Sequence, residues 1–186
     1  MKRTIWSGMT LVCVFWAALP GCHPDEDKRP LGELMKGIAW GLSALHALPA
    51  ADCSFDESVT ARLATATDMI RRGLVDADNF ADRNKGLAPQ AIYERLLREV
   101  PKHEDTVVVH GDATFDNMLI DDDGRVGFLD CGHAGRGDRH LDLSTIIADI
   151  DEHFGAQGVA LFSVAYGQPR LNERKLKFFS DLYELF

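Results

Sequence analysis

Apolar residues recur at Leu31, Leu34, Met35, Ile38, Leu42 and Leu45, the spacing of one face of an α-helix, which Pro49 ends. A second helical pattern covers residues 56–72. Val59, Leu63, Met69 and Ile70 lie on its inner face, Arg71 and Arg72 at its negative C-terminal end, and Gly73 stops it. Residues 73–88 are a polar loop with an acidic bias. Pro89 then takes the first position of a helix that runs through Ile92, Leu96 and Leu97. The middle of the chain changes character. Thr106–Val109 is a short β-branched run, and Met118–Ile120 and Val126–Leu129 are apolar runs around Asp121-Asp122-Asp123-Gly124, which predicts a β-hairpin. From Asp142 the period returns to that of a helix, with Leu143, Ile146, Ile147, Ile150 and Phe154 on one face. Two more helices follow, roughly 157–166 and 171–185. The prediction is an α+β chain, mostly helical, with one small β element in the middle and no internal repeat.

The first segment has two readings. Lys2 and Arg3 precede an apolar run from Leu11 to Leu19, and Gly21-Cys22 follows, the outline of a secretory signal with a loose lipoprotein cleavage box. The run is too short for a transmembrane helix, which needs about 20 residues. The same residues also have strand character in Val12, Val14, Phe15 and Trp16, ended by the Pro20-Gly21 turn.

At 186 residues the chain has room for one domain, or one lobe of a larger fold. The formal net charge of −9 disfavours non-specific nucleic-acid binding and suits a cationic partner. A hydrophobic content of 46% excludes a disordered chain. Cys13, Cys22, Cys53 and Cys131 are scattered with no Cys-x-x-Cys pair, which points to free thiols in a reducing compartment rather than a zinc site.

Chemistry concentrates in residues 110–142. Asp112 follows a β run and a glycine, so it lies at a strand end or tight loop that holds and exposes it. Asn117, five residues on, adds a neutral oxygen, and Asp130 ends the second hairpin strand, where it can point back to the same loop. Two carboxylates and an amide oxygen form a ligand set for Mg²⁺, which keeps room for phosphate oxygens and water. Phosphoryl transfer uses such a kit, with one carboxylate on the acceptor hydroxyl and an Asn and an Asp on the metal. Asp121, Asp122 and Asp123, by contrast, read as solvated turn acids.

The segment VVVHGDATFDNMLIDDDGRVGFLDCGHAGRGDRHLDL resembles the catalytic and metal loops of the aminoglycoside phosphotransferases, relatives of the protein kinases. ALHALPAADCSFD, GLVDADNF and the closing LYELF are similar to further segments of that family, and the resemblance covers about residues 10–186. It implies a protein-kinase-like fold, ATP and Mg²⁺ as cofactors, and an aminoglycoside antibiotic, a polycation, as partner. It makes Asp112 the catalytic base and Asn117 and Asp130 the metal ligands, and it places Asp78, Glu184 and Phe186, with its terminal carboxylate, at the antibiotic site. His110 is expected to hydrogen-bond the backbone, and Asp138 and Asp142 to cap helices and anchor buried groups. One departure stands out: the family has Arg where this chain has His133, which alters the charge balance near the carboxylates.

A kinase-like enzyme also needs a first lobe with a phosphate-covering loop and a Lys on the phosphates. The chain has no G-x-G-x-x-G and no VAIK-like strand. TLVCVFWAALPG resembles the strand that links the two lobes. The expectation is therefore an N-terminally truncated phosphotransferase of reduced activity, with residues 1–24 as hinge strand (alternatively a signal peptide) and residues 25–186 as the helical C-terminal lobe. The hinge reading goes with a cytoplasmic protein and no membrane association, the signal reading with an exported lipoprotein anchored at Cys22. The competing functions are a kinase of the same fold acting on choline, homoserine or a macrolide, and an inactive module that binds aminoglycoside without turnover.

Overall fold

The computed structural model describes residues 27–168 and 170–186. The segment read as hinge strand or signal peptide, with Cys13 and Cys22, lies outside the described residues. Those residues form α1 (Leu31–His46), α2 (Val59–Arg72), α3 (Pro89–Glu99), α4 (His140–Ala165) and α5 (Glu173–Tyr183), with four short strands: β1 (Thr106–Val109), β2 (Met118–Ile120), β3 (Val126–Phe128) and β4 (Gly135–Asp138).

The helices follow the apolar periodicity, with local chemistry setting their ends. Ser58 Oγ accepts the Ala61 N–H at 3.3 Å and starts α2 three residues later than the periodicity suggests. The residues just before it are committed to β4 instead, since the Glu57 N–H donates to the Arg136 carbonyl at 3.0 Å. Pro89 does occupy the first turn of α3. Gly155 is the one non-helical residue inside α4, and it marks the break between the two helices that the sequence suggests there.

The β structure is two antiparallel pairs. β2 and β3 form the predicted hairpin, in the register Met118↔Phe128 to Ile120↔Val126. β1 pairs with β4 in the register Thr106↔Asp138 to Val109↔Gly135. The sequence does not announce β4, because Gly-Arg-Gly-Asp carries no apolar alternation. Its backbone supplies the pairing.

Two apolar clusters hold these pieces. One joins Met35, Ile38 and Leu42 of α1 to Phe115, Met118 and Ile120 and to Leu143, Ile146 and Ile150 of α4. The other joins Val59, Leu63, Ile92 and Leu96 to Val107 and Val109 and to Phe178, Phe179 and Leu182 of α5. The hairpin lies directly on α1. A Cβ at Gly41 would sit 2.6 Å from Val126 Cβ, and one at Gly37 2.7 Å from the Gly124 carbonyl oxygen. These glycines are therefore required by close approach. Burial of Phe178, Phe179 and Leu182 contributes about 1.5–3 kcal/mol each. That pins the last turn of α5 against the sheet and fixes where Tyr183 points. No helix among the described residues is long and apolar enough to cross a membrane.

Candidate active site

The loop after β1 carries His110, Gly111 and Asp112. Gly111 has φ +84°, and a Cβ there would lie 2.2 Å from the His133 carbonyl oxygen, so only glycine lets the chain turn. Asp112 emerges half-buried from that turn. Asn117 Nδ2 donates to Asp112 Oδ2 at 2.8 Å and to the Asp112 carbonyl at 3.0 Å. The Asn117 amide is thereby oriented with Oδ1 turned away from Asp112.

The hairpin brings Asp130 to the same place. The Leu129 N–H donates to the Asn117 carbonyl at 2.8 Å, which continues the β2–β3 ladder one step and sets Asp130 just beyond it. Asp130 is exposed and left-handed (φ 48°), the one non-glycine residue with positive φ among the described residues. Its carboxylate and Asn117 Oδ1 have no hydrogen-bond partner among the described residues. No group of three or more His, Cys, Asp or Glu side chains placed to hold a metal ion is present among the described residues. One carboxylate and one amide oxygen at adjoining loop ends fit Mg²⁺, which takes few protein ligands and completes its shell with phosphate and water.

A buried polar frame holds the loop. Asp142, fully buried, accepts the N–H of His110 at 2.8 Å and of Gly111 at 2.7 Å. His46 Nε2 meets the same carboxylate at 2.9 Å, His46 Nδ1 meets the Tyr166 hydroxyl at 2.6 Å, and Arg139 donates to that hydroxyl at 3.3 Å. His110 behaves as expected. Its Nε2 lies 2.7 Å from the Leu129 carbonyl, its Nδ1 accepts the Asp112 N–H at 3.3 Å, and its ring packs on Phe128. These two partners select the tautomer protonated on Nε2. Asp138, also fully buried, accepts from Lys175 Nζ (2.6 Å), His140 Nδ1 (2.7 Å) and the His140 and Asp105 N–H groups. Burial alone would raise the Asp138 carboxyl, but these bonds hold it down at about 2. Asp138 and Asp142 are thus anchors, as the sequence suggests.

Three neighbours escaped the sequence reading. Tyr183, on the last turn of α5, donates its hydroxyl to Asp112 Oδ1 at 2.7 Å. Burial and this bond push its phenol well above the usual range, with the charges of Asp112 and Asp149 acting in the same direction. Asp149 on α4 accepts the Phe115 N–H at 2.7 Å. Burial raises its carboxyl, and the nearby charges of Asp116 and Glu152 add to the rise. Arg62 is buried on α2, 3.2 Å from Glu57. Burial lowers its guanidinium, while the charges of Glu57, Asp142 and Asp112 act the other way. Arg62 therefore places a cation near Asp112 in a chain that has His133 in place of an Arg. His133 is exposed and meets the Gly111 turn through its backbone oxygen. The available signals were weak: Arg62 interrupts the apolar face of α2, and Asp149 adjoins Ile146 and Ile150 on α4.

The side chains of the other expected site residues make no hydrogen bond to the Asp112 loop among the described residues. Asp78 is exposed in the short turn Ala77–Asn79, its N–H held by Asp76 at 3.1 Å, and no hydrogen bond or ion pair among the described residues joins it to the Asp112 loop. Both Glu184 carboxylate oxygens are engaged, one by Arg83 at 2.9 Å and the other by Asn84 at 3.0 Å. The Phe186 ring lies under the Arg62 guanidinium, 4.1 Å from its centroid.

Comparison with known proteins gives the family and the fold. The model of the phosphotransferase enzyme family matches residues 7–179. An aminoglycoside 3′-phosphotransferase of Streptomyces fradiae is 34% identical over 169 residues, which cover 88% of this chain and 62% of the relative. The chain thus spans about three fifths of the length of such curated relatives. The crystal structure of an aminoglycoside-3′-phosphotransferase of type VIII superposes with a TM-score of 0.84 at 31% identity, over 91% of this chain and 67% of that one. An aminoglycoside phosphotransferase from Streptomyces rimosus, in complex with ADP and streptomycin, superposes with a TM-score of 0.76 at 26% identity, over 89% of this chain and 67% of that one.

Proposed function

The chain belongs to the phosphotransferase enzyme family, and from that premise we propose that it serves transfer of the γ-phosphate of ATP to a hydroxyl of an aminoglycoside. The observation that carries this reading is the Asp112–Asn117 pair, bonded at 2.8 Å, with Asp130 presented at the adjoining hairpin end. Asp112 takes the proton of the acceptor hydroxyl as that oxygen bonds to phosphorus, and ADP leaves from the opposite side. Asn117 Oδ1 and Asp130 are the groups that would hold Mg²⁺, which when bound neutralises charge on the phosphates. The Asn117 N–H bond keeps Asp112 from rotating, so the base stays aimed at the acceptor.

The acceptor side is negative. Burial raises the Asp149 carboxyl, the charges of Asp116 and Glu152 add to that rise, and Asp149 adjoins Tyr183. Ammonium groups on the acceptor sugar would relieve that repulsion. We assign the cationic seat to Asp149 and Glu152 ahead of Glu184, whose charge is already matched by Arg83. The relatives named above act on or bind aminoglycosides according to their own names, which supports the same substrate class.

The test is ADP formation by the chain with Mg²⁺ and ATP, with kanamycin and streptomycin as acceptors and with choline, homoserine and a macrolide as acceptors without an array of ammonium groups. Aminoglycoside-dependent ADP that disappears with a chelator supports the reading. A preference for the other acceptors, or ADP release independent of any acceptor, removes it.

A further inference from the structure

The hydroxyl of Tyr183 occupies the place on Asp112 that an acceptor alcohol would need. We propose that Tyr183 is a surrogate acceptor: its phenol caps the catalytic carboxylate in the substrate-free protein, and a sugar hydroxyl must displace it to reach the base. This deepens the phosphotransferase reading above and rests on it.

The geometry divides the two oxygens of Asp112 between two donors. Asn117 Nδ2 holds Oδ2 at 2.8 Å, and Tyr183 holds Oδ1 at 2.7 Å. An alcohol about to be phosphorylated must donate its proton to this carboxylate at hydrogen-bond distance. Oδ2 faces the residue that orients the metal side, so Oδ1 is the acceptor's oxygen, and it is taken. The donor is chemically a match, a single O–H on carbon aimed at the carboxylate. It is also placed rigidly. Tyr183 ends α5, whose Phe178, Phe179 and Leu182 are nearly wholly buried. The ring must therefore leave by side-chain rotation rather than by movement of the helix, and Tyr183 remains partly exposed, which leaves it a path.

A cap of this kind sets specificity. Water and small alcohols gain one hydrogen bond to Asp112 and lose the one Tyr183 made, so they gain nothing by displacing it. A ligand anchored elsewhere, by ammonium groups on Asp149 and Glu152, brings binding energy that the exchange itself does not supply. The device favours large, multiply anchored acceptors and keeps water from the base, which suppresses wasteful hydrolysis of the nucleotide.

The experiment uses the full chain labelled with 3-fluorotyrosine. Its three tyrosines, Tyr93, Tyr166 and Tyr183, give three ¹⁹F resonances, assigned by Tyr183→Phe. Without ligand, Asp112→Ala should move the Tyr183 resonance, because its partner is gone. Kanamycin titrated into the parent should move that resonance too, and Tyr183→Phe should bind kanamycin about fivefold more tightly, the worth of one net hydrogen bond. A Tyr183 resonance unmoved by Asp112→Ala overturns the cap, as does kanamycin binding that leaves the resonance in place or is weakened by Tyr183→Phe. If the Asp112→Ala response is present and kanamycin fails to bind the parent at all, the aminoglycoside reading itself falls, and the surrogate-acceptor inference with it.

Discussion

The carboxylate of Asp142 receives the backbone N–H of Gly111 at 2.7 Å, although the two residues are 31 apart in sequence. Gly111 immediately precedes Asp112, so a buried acid at the start of α4 sets the direction in which the proposed base leaves the loop. Its second oxygen takes the His110 N–H and His46.

Asp142→Ala leaves these donors buried without an acceptor, and the expected cost is about 3–5 kcal/mol. Asp142→Asn keeps the shape but turns one face from acceptor to donor, and should fall between. Urea unfolding midpoints of the three proteins check the order.

Asp130 is held at φ 48°, a region that costs a non-glycine residue on the order of 1 kcal/mol. Asp130→Gly should therefore raise the thermal midpoint slightly while it weakens Mg²⁺-dependent nucleotide binding. Asp130→Asn should lose the metal dependence with no gain in stability. Thermal melting alongside Mg²⁺ titration of nucleotide affinity separates backbone strain from metal ligation.

Asp149 carries a charge that burial and its acidic neighbours disfavour. Asp149→Asn preserves an acceptor for the Phe115 N–H and removes that charge. It should stabilise the chain by up to about 1 kcal/mol at neutral pH, within the range of a relieved charge contact. Kanamycin affinity should fall at the same time, as a calorimetric titration would record.

Asp138 gives the pH dependence. Its folded value of about 2 lies below the ordinary 3.8, so its contribution is complete above pH 4 and disappears as pH falls toward 2. The contribution is about 2 kcal/mol. A stability profile from pH 7 to pH 2 should drop through that window, and Asp138→Asn should be less stable at pH 7 and flatter across it.

The sequence showed most of the scaffold and only part of the site. Helices α1 and α3 were legible because their apolar residues repeat with the helical period and proline marks their ends. The hairpin was legible from two apolar runs around an acidic turn, and with it the neighbourhood of Asp112, Asn117 and Asp130. Strand β4 was not, since its pairing is made by backbone and its glycines carry no pattern. The partners of Glu184 were hidden for another reason. Arg83 and Asn84 lie about a hundred residues earlier, and an ion pair across that distance leaves no periodic trace. Tyr183 sat within the LYELF segment already matched to the family, but nothing in the chain's order said that its hydroxyl reaches Asp112.

The central claim is that Asp112 accepts the proton in phosphoryl transfer to an aminoglycoside, and the mass of the acceptor tests it most directly. Kanamycin incubated with the chain, Mg²⁺ and ATP should gain the mass of one phosphate. The yield with Asp112→Ala should fall by at least about a hundredfold, as loss of a general base requires, while circular dichroism of the variant stays that of the parent. Kanamycin that gains no phosphate with the parent, or gains it equally with Asp112→Ala, contradicts the account.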